Sequence, residues 1–276
     1  MDYLDVITKW IRDFNDESVV TPEELSGIEP IPTWWRDVAG PNGGALLADK
    51  WDELAPIEIF PQTKTLLRSE HTLGIAILRS YPGGPERPAR WNLAAAFDYV
   101  PNNASEGPVI VRFEVPLDTE AIPPWWDYFP SALRDFYLNA HRSIGEGTLT
   151  SPGAPRSVIL ASDRFNVDDP DDFCVFQPCP DPRELVIVAE RGDSQLYLDI
   201  GQQTHQGWEV PWAHDLNGGP RPVDLLLTID AYIVMDSSPQ DDLPDTTADD
   251  AIRPAPLRPR NPAVDWPNDP FWQRRR

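Results

Sequence analysis

Five aspartates, Asp163, Asp168, Asp169, Asp171 and Asp172, crowd into the stretch 163–172, the densest group of titratable side chains in the chain. Carboxylates this close can ligate a cation, share acid and base duties in a hydrolysis, or present a negative surface to a cationic partner. A calcium loop of the EF-hand kind needs alternating oxygen ligands, a central Gly and a closing Glu, whereas Pro170 occupies the centre here. Carboxylate catalysis depends on separation in space, so it stays open beside the plainer reading of a solvated loop. The reading favoured is an exposed anionic surface that pairs with a partner's Arg and Lys.

The other reactive side chains are sparse. His71, His141, His205 and His214 share no ligand spacing, so core or surface roles are expected. Cys174 and Cys179 are separated by Val-Phe-Gln-Pro and do not make a zinc-type pair of pairs. Two thiols in a reducing compartment are favoured over a disulfide across that short gap. There is no Gly-x-Ser-x-Gly elbow and no phosphate-cradling Gly-rich loop with Lys. No catalytic residue, metal or cofactor is therefore nominated. Arg191-Gly192-Asp193 spells an adhesion tripeptide, but its expected role is a turn, since Gly permits positive φ and Asp suits turn positions. Trp208 and Trp212 flank Glu209-Val210-Pro211 and, at an even offset in a strand, share one face. They are either core or an aromatic anchor with Glu209 beside it, so Trp208 and Glu209 join the aspartates as candidate partner-binding residues.

Charge narrows the classes of partner. The 276-residue chain carries a formal net charge of −22. Such a surface repels nucleic acids and anionic membranes, whose binding needs Lys and Arg, and it accelerates the approach of a cationic protein. Solubility alone also accounts for an acidic surface. Hydrophobic content of 41%, with 11 Trp and 10 Phe, argues for a packed core. The start Met-Asp-Tyr-Leu-Asp lacks the basic and apolar pattern of a secretion signal, and no apolar run approaches the ~20 residues of a membrane helix. A cytoplasmic protein is the expectation.

The elements that must position these residues follow from periodicity. Tyr3, Ile7, Trp10, Ile11 and Phe14 lie on one face of a helix over Tyr3–Phe14, and a Pro- and Gly-rich loop runs from Thr21 to Gly44. Thr72–Ser80 and Val109–Val115 read as strands, the second alternating Val109, Val111, Phe113, Val115 with Ile110, Arg112, Glu114. Trp91–Tyr99 fits a short helix or a strand equally. Leu133, Phe136, Tyr137 and Ala140 form the stripe of a proline-started helix over Pro130–Ala140. Strands follow near Ser157–Ala161, Phe173–Phe176, Leu185–Glu190, Gln195–Ile200 and Trp208–Trp212. Helical spacing returns over Val223–Val234 with Leu225, Ile229, Tyr232 and Ile233. From Asp236 onward Pro and Asp dominate, so an extended tail over 237–276 is expected, its Trp266, Phe271 and Trp272 able to dock.

Ile122-Pro123-Pro124 leading to Pro130–Tyr137, together with Val188-Ala189-Glu190-Arg191-Gly192-Asp193 ending in Leu198-Asp199, resembles the SUKH superfamily over roughly residues 121–236. That superfamily includes bacterial immunity proteins that neutralise partner toxins and a fungal cell-wall regulator. The resemblance implies an α+β fold, a mostly antiparallel or mixed sheet covered by helices, preceded by an α/β N-terminal part. The organisation expected is a region 1–120, a SUKH-like domain 121–236 and a tail 237–276. Region 1–120 is either an integral extension or a divergent copy: Ile31-Pro32-Thr33-Trp34-Trp35-Arg36-Asp37 echoes Ile122-Pro123-Pro124-Trp125-Trp126-Asp127. Asn42-Gly43-Gly44 looks like the turn that closes the first SUKH helix. By this resemblance the protein binds a cognate, basic toxin domain and occludes its active site, without catalysis. The alternatives are a regulatory scaffold of the same superfamily and a carboxylate-dependent hydrolase using the acidic loop.

Overall fold

The computed structural model describes residues 2–12, 17–98, 108–145, 149–152 and 180–237, apart from short gaps at 26, 28–29, 56, 83–85, 124, 151, 192–193, 202–204 and 212–219. The expected strands at 157–161 and 173–176, the aspartates of 163–172, both cysteines, His214, Trp212 and the tail from 238 lie outside the described residues.

The fold is α+β, with two four-stranded antiparallel meanders. Sheet A is ordered β1 (Glu17–Val20), β2 (Thr72–Ser80), β3 (Arg90–Phe97), β4 (Val109–Glu114); sheet B is ordered β5 (Leu185–Arg191), β6 (Ser194–Asp199), β7 (Gln206–Pro211), β8 (Arg221–Asp224). Six α-helices are described: α1 (Tyr3–Ile11), α2 (Trp35–Val38), α3 (Gly43–Leu54), α4 (Pro61–Arg68), α5 (Ser131–Asn139) and α6 (Leu225–Ser237). Every described pairing is antiparallel, so the N-terminal part is not of the α/β kind.

Alternation builds sheet A. Ile75, Ile77, Leu93, Ala95, Val111 and Phe113 point to the main core, while Ala76, Leu78, Ala94 and Ala96 point the other way. That second face lies under Val6, Ile7 and Ile11 of α1. The helix starts at Asp2, whose side chain accepts from Leu4 N at 2.9 Å. The Trp91 region is a strand because it pairs on both sides, with β2 and with β4, and an unbroken burial pattern needs a sheet's two covered faces.

Three helical segments fall inside or just after the expected loop Thr21–Gly44. The Gly43-Gly44 pair does not close a helix but opens α3. A Cβ on Gly43 would lie 2.1 Å from Val38 O, and one on Gly44 would lie 2.3 Å from Leu67 O, so only glycine lets α3 approach its neighbours this closely. α3 then packs on α2, α4, α5 and β2. Helix α4 begins at Pro61, after Phe60 in the left-handed region (φ 52°).

A single hydrophobic cluster runs through α2–α6 and the inner faces of both sheets, from Val20 to Ile233. The boundary at residue 120 is thus not a break in packing. Helix α6 covers the inner face of sheet B and also meets α4 and β4. It starts at Leu225, because Val223 belongs to β8 and pairs with Gly207. Helix α5 packs on α3, not chiefly on sheet B as the repeat of helix, strands and helix suggested. Beyond α5 the chain returns along β4, with Ile144 bridging Phe113 and, on its other side, Leu149. Thr150 N then donates to Val188 O at 2.9 Å, so this segment links the edge of sheet A to the edge of sheet B.

Candidate functional site

Trp208 and Glu209, expected at an interface, are interior residues. Trp208 is 0% exposed and Glu209 4% exposed. Strand alternation sends them to opposite faces of sheet B. Trp208 sits across from Tyr197 on the outer face, and its indole N–H donates to Asp199 Oδ2 at 3.3 Å. Glu209 points inward beneath α6. Its Oε1 accepts from Tyr232 O–H at 2.6 Å and its Oε2 accepts from Arg221 Nε at 2.5 Å. Burial first, then the Glu209 charge, pushes the Tyr232 hydroxyl far above its ordinary pKa. A carboxylate so paired fastens α6 to the strand beneath it, and it offers no free acceptor to an approaching protein.

The same outer face carries further polar side chains that bond to one another. Tyr197 O–H donates to Gln195 Oε1 at 2.5 Å, and Gln195 Nε2 donates to Glu190 Oε1 at 3.2 Å. Asp199 Oδ1 accepts from Gly201 N at 3.0 Å. A Cβ at Gly201 would fall 2.0 Å from Glu184 Oε2, which makes glycine obligatory there. These groups hold the strand ends together and leave no aligned acid and base pair facing solvent.

Asp230 on α6 is a polar residue that periodicity did not single out. Fully buried, it accepts from Gln62 N at 2.8 Å, Thr63 N at 2.8 Å and Thr63 Oγ1 at 2.6 Å. It therefore caps the N-terminus of α4, which has no side-chain cap of its own, from a helix 167 residues away in the chain. Burial raises its pKa against the pull of those donors. Beside it, the buried Lys64 pairs with Asp52 of α3 at 2.5 Å, and Arg68 bridges Asp49 and Asp52. The hydrogen bond to Lys64 holds the Asp52 carboxyl below its ordinary range.

His141 lies just after α5 and is 0% exposed. Aromatic rings surround it, with centroids at 5.2 Å (Phe113), 5.6 Å (Trp34), 5.8 Å (Trp51), 5.9 Å (Phe136) and 6.2 Å (Trp35). Nδ1 stands 3.0 Å from Glu114 O, and burial lowers the pKa to about 3. The ring is neutral and walled off by apolar side chains, which suits a core role and not a solvent-facing general base. His205, by contrast, is exposed at φ 56°, its Nδ1 bonded to Tyr128 O at 2.8 Å.

Among the described residues no group of three or more His, Cys, Asp or Glu side chains is arranged to hold a metal ion. No helix among them is long and apolar enough to cross a membrane. Comparison with protein-family models, with curated proteins and with solved structures returns no match. The functional question thus rests on the chain's own chemistry. Its signals for the buried polar residues were weak: Asp230 and Glu209 each sit in apolar surroundings in sequence, where a lone carboxylate implies a dedicated partner.

Proposed function

We propose that the protein is a non-catalytic immunity protein that binds a cognate, basic protein toxin and occludes its active site. The observation that carries this reading is the net charge of −22, together with how the described cations are spent. Lys50, Lys64, Arg68, Arg112, Arg134, Arg142, Arg183 and Arg221 are each paired with a carboxylate of the same chain. The acidic excess is therefore left to face outward, where it attracts a cationic protein and repels phosphate backbones. The resemblance to SUKH proteins points the same way. Binding surface is sought in the aspartates of 163–172, since Trp208 and Glu209 are interior.

The test is purification of the native complex at low and moderate salt, followed by co-expression of the captured partner. The expected result is one tightly held basic protein whose toxicity this chain suppresses. Capture of a non-toxic partner, or a toxic one that this chain fails to neutralise, overturns the reading. Replacing Asp168, Asp169, Asp171 and Asp172 by Asn should slow association and flatten its salt dependence more than it shortens the complex's lifetime. Unchanged association kinetics would remove that segment from the interface.

A further inference from the structure

Three buried polar atoms that make no hydrogen bond meet in one place. His141 Nε2, Trp35 Nε1 and Trp51 Nε1 are all enclosed, and both indole rings are in ring contact with the imidazole, at 6.2 and 5.8 Å between centroids. The chemistry of each atom follows from its surroundings. The Glu114 carbonyl can only accept, so the hydrogen of the neutral imidazole resides on Nδ1. Nε2 then presents a bare lone pair, while each indole presents an N–H and nothing else. One acceptor and two donors thus face a common interior, walled by Phe113 and Phe136.

Buried polar groups in folded proteins are nearly always satisfied, and an interior water typically makes two to four hydrogen bonds to groups otherwise left without one. We propose that this pocket of the core is a binding site for a single water molecule, which donates to His141 Nε2 and accepts from the indole N–H groups of Trp35 and Trp51. Water is the ligand class that matches: one O–H reaches the lone pair and two oxygen lone pairs receive the two indoles. A cation is excluded by the two N–H donors, and an anion by the bare imidazole nitrogen and the apolar wall. The site joins three segments, since Trp35 belongs to α2, Trp51 to α3 and His141 to the return from α5. The water would then cement the N-terminal helices to the chain that leads towards sheet B.

The unmodified full chain in solution tests this by nuclear magnetic resonance, without any variant that risks misfolding. Rotating-frame cross-peaks between water and each indole N–H, of the sign for dipolar contact and not for exchange, are the first readout. The second is the nitrogen shift of the His141 ring. The expected result is a dipolar water cross-peak at both Trp35 and Trp51, with Nε2 unprotonated and shifted as a hydrogen-bond acceptor. A cross-peak at neither indole, or at one alone, overturns the three-way bridge. So does an Nε2 that carries the proton, because it would have no lone pair to offer.

Discussion

The outer faces of the two sheets are built on opposite principles. Sheet A turns Ala76, Leu78, Ala94 and Ala96 towards α1, a dry contact of small apolar groups. Its tolerance is set by volume: Gly74 sits so close to the Tyr3 ring that a Cβ there would lie 2.6 Å from it. Sheet B turns Gln195, Tyr197, Asp199, Gln206 and Trp208 to its outer face, all buried and all hydrogen-bonded. Here the constraint is directional, because each polar atom must keep a partner. The first face should therefore fail by overpacking and the second by leaving a group unsatisfied.

The largest expected effect strikes both sheets at once, through the core they share. Phe136 stacks edge-on against Trp51 and Phe60, each at 5.0 Å between centroids. Phe136→Ala should cost ~3–5 kcal/mol in chemical denaturation. Because the core is continuous, sheet A and sheet B should lose stability in one transition. Two separate transitions, with only one of them shifted, would show that the sheets unfold independently.

Acid comes next. His141 has a folded pKa of about 3 against an ordinary 6.5, so its burial stabilises the fold above pH ~6.5 and that stability is lost as pH falls towards 3. By pH 4.5 the loss attributable to this ring should reach about 2.7 kcal/mol. The raised pKa of Asp230 acts in the other sense, favouring the fold as its carboxyl protonates. Stability measured against pH for the parent chain and for His141→Phe separates the two. A parallel pair of profiles would mean that the imidazole does not titrate on unfolding.

The third test takes the dry face alone. Ala94→Leu places a larger side chain beneath α1 and should cost ~1–3 kcal/mol through overpacking. Its counterpart on sheet B, Tyr197→Phe, keeps the volume and removes only the hydroxyl donated to Gln195. About 1 kcal/mol is expected there, the smallest of the four. If the two changes cost the same, or their order reverses, the contrast between volume and direction is wrong.

Several elements could be read directly from spacing. The stripe Ile7–Ile11 of α1, the alternation of β4, the hairpin β5–β6 and the face Leu225, Ile229, Tyr232, Ile233 of α6 each repeat a local period, which one burial direction imposes. Helices α3 and α4 were hidden because the first opens on two glycines and the second receives its cap from Asp230. Neither cue lies within the helix it belongs to. The two Trp-Trp echoes diverge as well: Trp35 is buried in the first and Trp125 in the second, the opposite members of their pairs. Similar strings thus sit in different surroundings.

The sequence by itself determined the α+β class, the acidic balance and which residues of each regular element face a core. Those properties follow from composition and from the 3.6- and 2-residue periods, which are local. Tertiary structure alone decided that Trp208 and Glu209 are interior, that Asp230 caps a helix from the far end of the chain, and that one core serves both sheets. Alternation marks two faces of a strand but does not say whether the second is covered. That depends on what the rest of the chain lays over it.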